Sequence, residues 1–221
     1  MAGSKLPPFS LFHNYEVEWG KFRRENPKMH MFQLTEAENR ILSHLCLAGV
    51  MTRSQIYEIG WNGSAKRKHV RRLVGFRLID EHVIRVNGSP FLFYTPCGVN
   101  KKYELDELLQ RFVFNQLYIR LREISPFQIV PAPLPFAGAL RSTKKMNMVC
   151  VVKNNLDALR LSLKSNMHPL IFVFEDEKQH ALLREYVKPD STVFFERELF
   201  HHKQYEKQYE QQKESSLVMN S

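Results

Sequence analysis

Apolar positions change their spacing along the first hundred residues, and each change marks an element. Ile41, Leu42, Leu45 and Ala48 recur at helical spacing. Thr35 and Glu38 stand ahead of them as a capping box, in which hydroxyl and carboxylate each satisfy a free backbone N–H. Gly49 sits where such a helix ends in a left-handed residue. Thr52 and Gln55 repeat the capping signature, with Ile56 and Ile59 on the inward face of a second helix. The short link between the two fits a helix-turn-helix. Asn62-Gly63 is a further turn, and Ser64 is the candidate N-cap of a third helix whose stripe is Val70, Leu73 and Val74. The spacing then switches to strands. Glu81 to Val86 and Ser89 to Thr95 are rich in β-branched and aromatic residues and flank Asn87-Gly88, a strong hairpin signal because both turn positions need positive φ.

Beyond the hairpin, residues 101–123 read as one helix with Leu105, Leu108, Leu109, Phe112, Leu117, Ile119 and Leu121 spread widely around it. A helix apolar on so many sides is buried on more than one, either as a dimer contact or within one chain. Pro126, Pro131, Pro133 and Pro135 end it. Met148 to Val152, Pro169 to Phe174 and Thr192 to Phe195 then read as strands, separated by helical patterns over Asn155 to Ser165 and Glu177 to Tyr186. That alternation predicts a small α/β domain with a parallel or mixed sheet. The chain therefore divides into an N-terminal arm (1–33), a winged helix-turn-helix (34–98), a connector or dimerisation helix (99–124), an α/β domain (125–202) and a polar tail (203–221). The arm carries Lys21, Arg23 and Arg24 beside Phe9, Leu11, Phe12, Tyr15 and Trp19. Its apolar residues argue that it packs on something; its basic ones leave open a reach toward DNA or a partner.

Composition narrows the class. At 221 residues with 43% hydrophobic and 12% aromatic content, the chain has enough apolar mass for real cores. The formal charge is +9 and the pI about 9.5, which favours polyanionic partners, nucleic acid before anionic membrane. No apolar run has the length of a membrane span, about 18 residues or more, and no secretion signal is evident at the N-terminus. Cys46, Cys97 and Cys150 are far apart and odd in number, so neither a disulfide framework nor a metal-binding spacing is indicated. The expected compartment is cytoplasmic.

The third helix concentrates the charge. Phased at about 100° per residue, it turns Ser64, Lys68, Arg71 and Arg72 away from its apolar stripe, with Lys66 and Arg67 flanking. Basic runs on isolated helices usually only face water. Third in this order of elements, and followed by a hairpin, such a helix fits the major groove of double-stranded DNA. Lys68, Arg71 and Arg72 are the first candidates for base or phosphate contacts, with Ser64, Lys66 and Arg67 beside them. In the wing, Arg85 and Asn87 are expected to stand next to the neighbouring DNA backbone. Arg85 fits a phosphate or minor-groove contact and, equally, an exposed strand position.

The layout of capped helix-turn-helix, Phe-Arg-Leu-Ile-Asp lead-in to the wing at 76–80, connecting helix and strand–helix–strand order after 145 resembles the replication-relaxation family of plasmids and mobile elements in Gram-positive bacteria. The resemblance spans about residues 34–196. It implies DNA binding linked to plasmid replication, maintenance or transfer, with other replication or maintenance proteins as partners; the homodimer is expected from the helix after the wing, and the winged helix alone equally allows a transcriptional regulator. It also implies a second domain like a restriction-endonuclease core. Such a core holds a divalent ion with an acid on one strand and acid-x-Lys on the next. Here Val151-Val152-Lys153 keeps the lysine without the acid, and the preceding hairpin from Gly138 to Met148 has no Asp or Glu. The expectation is a degenerate, non-catalytic copy.

Other constellations carry less. Glu175-Asp176-Glu177 fits a capped helix start better than a Mg²⁺ site. His201-His202 lacks partners at ligand spacing, and Cys150 reads as a small core residue. No P-loop, dinucleotide fingerprint or nucleophile elbow is present. The expectation is thus an α+β protein that binds double-stranded DNA without catalysis and without metal or cofactor. A protein-interaction module and a metal-dependent nuclease remain the alternatives.

Overall fold

The computed structural model describes residues 7–20, 33–59, 66–98, 102–143, 145–164 and 170–200. Within them the fold is mixed α+β, with seven α-helices and two sheets. In chain order the elements are β1 (Tyr15–Glu18), α1 (Glu36–Ala48), β2 (Met51–Thr52), α2 (Arg53–Ile59), α3 (Lys66–Gly75), β3 (Ile79–Val86), β4 (Ser89–Pro96), α4 (Leu105–Arg122), β5 (Gln128–Val130), β6 (Gly138–Arg141), β7 (Met146–Val151), α5 (Leu156–Leu163), β8 (Leu170–Phe174), α6 (Glu177–Leu183), β9 (Thr192–Phe195) and α7 (Glu196–Phe200).

Local chemistry explains most of the first half. Glu38 N–H donates to Thr35 Oγ1 and Thr35 N–H to Glu38 Oε2, so both halves of the capping box form. The same reciprocal pair joins Thr52 and Gln55 ahead of α2. Gly49 closes α1 at φ 77°, its N–H bonded to Leu45 O. The β3–β4 hairpin turns at Asn87 (φ 51°) and Gly88 (φ 82°), with Val86 paired to Ser89. Four antiparallel strands form the first sheet, in the order β1-β3-β4-β2. Its two outer strands were not anticipated. β1 belongs to the N-terminal arm, and β2 is only two residues long, too short to show a period.

The second sheet has the order β5-β6-β7-β8-β9. β5, β6 and β7 run antiparallel, whereas β7, β8 and β9 are parallel. Strand alternation divides its side chains between two layers. Met148, Cys150, Leu170, Phe172 and Phe174 pack with Leu159 and Leu163 of α5 and Leu183 of α6. Val149, Val151, Ile171 and Val173 point the other way, into a cluster shared with α4.

That cluster makes α4 the centre of the molecule. Every residue from Phe112 to Ile119 is buried, and the same core continues through Ile41, Leu45, Ile56 and Phe93 of the first half. Asn115 and Gln116 tie α4 to the first half through their side-chain amides. Asn115 Nδ2 donates to Val50 O, Gln55 Nε2 donates to Phe112 O (2.6 Å), and Gln116 Nε2 reaches Glu58 Oε2 (3.2 Å). Of the two readings left open for this helix, burial on several sides is met inside a single chain.

Residues 7–20 do not stand off as a separate arm. Phe9 is buried against Phe112 and Phe200 at centroid distances of 5.0 and 5.4 Å. β1 then joins the edge of β3, and Gly20 N–H donates to His82 Nδ1 (2.9 Å). Lys21, Arg23 and Arg24 lie outside the described residues.

Candidate nucleic-acid interface

α3 presents its charge unevenly. Arg67, Lys68 and Arg71 are exposed, Lys66 is half-buried, and Val70 and Leu73 are buried beneath them. Arg72 departs from the helical-wheel expectation. Its Nε lies 3.3 Å from Glu38 Oε1, and its guanidinium lies 5.3 Å from the centre of the Phe76 ring. His69 Nδ1 meets the same carboxylate oxygen at 3.2 Å. The physical cause is Glu38, whose side chain is fully buried at the α1–α3 contact and requires compensation there. Burial alone would raise its pKa; the bonds from Thr35 and His69 and the charge of Arg72 outweigh that and hold it below the usual 4.5. Arg72 therefore joins two helices, while Lys68 and Arg71 keep their charges at the surface. Ser64 lies outside the described residues.

A cleft of about 280 Å³ opens beside α3. Arg67 and Arg71 line it together with Arg53 and Tyr57 of α2, and the hairpin closes it with Leu92 and Tyr94. Tyr94 OH donates to Glu81 Oε2 (2.8 Å) on the same wall. None of Arg53, Arg67 and Arg71 forms an ion pair with a described carboxylate. Arg53 was not singled out from the sequence. It stands alone between Thr52 and Ser54, and only folding brings it to the basic end of α3.

The hairpin tip is engaged from within the chain. Arg85 Nε lies 2.8 Å from Glu18 Oε1 and 3.7 Å from Glu16 Oε2, both on β1. Asn87 Oδ1 accepts from Asn14 N–H (2.9 Å), and Asn87 Nδ2 donates to His13 Nδ1 (2.8 Å).

A second charged centre lies far from α3. Lys153, just past β7, is completely buried. Its Nζ lies 2.7 Å from Phe9 O, 2.5 Å from Glu196 Oε1 and 3.5 Å from Glu175 Oε2. Ser10 Oγ donates to Glu175 Oε1, and Leu11 N–H donates to Glu175 Oε2 (3.1 Å). Glu196 Oε2 has no hydrogen-bond partner among the described residues. Burial pushes the Glu196 carboxyl up to about 7 despite the pull of Lys153. Tyr15, whose OH donates to Ser10 O (2.7 Å), has its pKa raised by burial and by the nearby Glu196 and Glu175 charges. Two carboxyl groups flank one amine here, and the N-terminal segment lies directly on them.

Elsewhere, Asp176 caps α6 by accepting from Gln179 N–H (2.9 Å), the role read for the acidic triplet. Glu175 beside it belongs to the buried centre instead. Cys150 is buried, and burial raises its thiol pKa well above the ordinary value. His201 and His202 lie outside the described residues. Among the described residues, no group of three or more His, Cys, Asp or Glu is placed to hold a metal ion, and no helix is long and apolar enough to cross a membrane. No family model matches this chain, and no curated protein or solved structure is significantly similar to it.

Proposed function

We infer that this chain is a non-catalytic, double-stranded DNA-binding protein whose residues 34–98 act as a winged helix-turn-helix. The observation that carries the reading is the cluster of Arg53, Arg67, Lys68 and Arg71 around the exposed face of α3, with the arginines lining one open cleft. α3 would lie in the major groove, with Lys68 and Arg71 as the principal contacts and Lys66 and Arg67 beside them. Arg53 joins the set as a phosphate contact, and Arg72 holds α3 against α1 rather than touching DNA.

The α/β half supports a structural rather than a nucleolytic role. The strand–helix–strand–helix–strand order read from the sequence is present as β7, α5, β8, α6 and β9. Lys153 stands at the end of the strand where acid-x-Lys is expected, but hydrophobic Val151 occupies the acid position and Lys153 is sealed from solvent. Action in plasmid or mobile-element replication, maintenance or transfer is the context that the resemblance implies, with transcriptional regulation as the nearest alternative. A homodimer would set two α3 helices about one DNA turn apart. Its contact would need a surface other than the apolar faces of α4, which are already buried.

The test is binding of a labelled duplex by the full chain over a series of salt concentrations, with and without Mg²⁺. The wild type is expected to bind with a steep salt dependence and to leave the DNA uncut. Lys68→Ala/Arg71→Ala is expected to weaken binding about tenfold or more and to lower the salt slope by about 2, one for each lost phosphate-range charge. Salt-insensitive binding, or affinity untouched by the double substitution, would exclude α3 as the contact. Mg²⁺-dependent cleavage would restore the nuclease reading.

A further inference from the structure

The N-terminal segment reaches from the buried Lys153 centre to the wing, and its two ends do different things. At one end it is fastened. The Phe9 ring is buried between Phe112 and Phe200, its carbonyl accepts from Lys153 Nζ, and Ser10 and Leu11 both donate to Glu175. At the other end it lies on the wing. β1 runs antiparallel along β3, with Glu16 directly opposite Arg85 and Val17 opposite Ile84. Glu16 and Glu18 point outward on the same face of β1 and meet Arg85 from both sides. One step on, Asn14 and His13 take the hydrogen-bonding groups of Asn87 at the turn. Arg85 and Asn87 are the two wing residues whose position suits a DNA backbone contact. In this structure both are satisfied by carboxylate, amide and imidazole groups of the same chain.

We propose that residues 7–18 form an autoinhibitory strap, an acidic strand that competes with DNA phosphate for Arg85 and Asn87 and is anchored on the Lys153–Glu175–Glu196 centre. The proposal rests on the DNA-binding reading and adds regulation to it. Exposed ion pairs such as those of Arg85 are individually weak and screened by salt. A polyanion can therefore displace them, whereas the buried anchor at Phe9 and Ser10 keeps the strap tethered and able to return. β1 is also a short, charged edge strand, a form that protects a sheet edge from unwanted pairing. Edge protection alone predicts no effect on DNA affinity, so the two roles separate by experiment.

The full chain would be compared with Glu16→Gln/Glu18→Gln, with Arg85→Ala, and with the triple combination, on one duplex over a salt series. A control, Glu123→Gln/Asp157→Asn, changes net charge equally at exposed positions away from the strap. The strap predicts that Glu16→Gln/Glu18→Gln binds about threefold to tenfold more tightly, with a salt slope steeper by about 1 for the freed Arg85. It also predicts that Arg85→Ala abolishes this gain and that the control does not reproduce it. Hydrogen exchange supplies an independent reading: saturating DNA should deprotect the amides of β1 in the wild type while β4 stays protected. A gain that survives Arg85→Ala, a gain matched by the control, unchanged affinity, or β1 amides still protected on bound protein would each overturn the strap. Absence of binding by every variant at low salt would instead overturn the DNA-binding reading, and the strap with it.

Discussion

Lys153, Glu175 and Glu196 show how residue identity and residue role part company. The sequence marks Lys153 as the survivor of an acid-x-Lys pattern and reads Glu175 as the start of a helix. Glu196 attracts no notice, because nothing in its neighbourhood repeats at a meaningful spacing. Their meeting depends on the parallel order of β7, β8 and β9, which carries the three to the same end of the sheet. Breaking a buried ionic group from one side leaves an uncompensated charge. Lys153→Met is therefore expected to cost about 3–5 kcal/mol in urea unfolding, and a variant as stable as the wild type would show that the centre is not closed. Glu196→Gln should act in the opposite direction. The Glu196 carboxyl is raised from 4.5 to about 7 in the folded protein, so the folded state binds the proton more tightly than the unfolded chain. Its stabilisation is complete below pH 4.5 and is lost as pH rises through about 7. The amide carries no such dependence. His82, held down at about 4 by burial, produces the reverse trend over an overlapping range, so the quantity to measure is the difference between variant and wild type. That difference should grow in favour of Glu196→Gln from pH 4.5 to 7.5, reaching about 1–3 kcal/mol; a pH-independent difference would rule out Glu196 as the titrating group. Gly20 is the other position where one atom decides. A Cβ there would lie 2.1 Å from the Glu81 carbonyl oxygen, a contact that backbone has to move to relieve. Gly20→Ala should lower stability by about 1–3 kcal/mol, read from the urea midpoint, and an unchanged midpoint would mean that residues 18–20 lift away freely.

At the scale of elements, legibility followed periodicity and capping. Both capping boxes, the left-handed Gly49 and the Asn87-Gly88 hairpin formed where local chemistry required them, and β9 matches its sequence pattern from Thr192 to Phe195. The phase of α3 was also readable from Val70 and Leu73. What phase could not reveal is that a buried carboxylate on α1 draws Arg72 out of the solvent-facing set, with His69 on the same oxygen. A helical wheel assigns a direction to a side chain and contains nothing about what the neighbouring helix holds. Two basic residues one position apart are thus expected to behave differently. Arg72→Ala should lower stability by about 1–2 kcal/mol, since Glu38 would remain buried with less compensation, whereas Arg71→Ala should leave stability within about 0.5 kcal/mol and act on DNA affinity instead. Equal unfolding midpoints for the two variants would place Arg72 in solvent. Because the Glu38 carboxyl is held below its ordinary 4.5, its stabilisation is present above that pH and falls away as acid protonates it.

For the molecule as a whole, the sequence reading changes character at the proline-rich stretch; the first sheet ends before it, and β5 of the second sheet lies within it. Cohesion between them was not legible, since it depends on which faces of α4 meet which sheet. A helix apolar all round is compatible with a dimer contact, a connector or a shared core. The choice emerges only where Val149, Val151, Ile171 and Val173 reach the same cluster as Leu45, Ile56 and Phe93. The strap crosses that junction, its Phe9 ring packed at a tilt against Phe112 of α4. A core continuous through α4 means that neither half can lose its packing without exposing the other, so unfolding should be a single cooperative event. The chain offers a direct check, because its two tryptophans, Trp19 and Trp61, both belong to the first half. Tryptophan fluorescence reports that half, whereas far-UV circular dichroism reports all the helices and strands. The two urea transitions should coincide in the wild type. In Phe112→Ala, which opens a cavity in the shared core at a cost of about 3–5 kcal/mol, they should shift down together. A dichroism step without a fluorescence change would instead mean that the α/β half folds independently and that α4 only links the two.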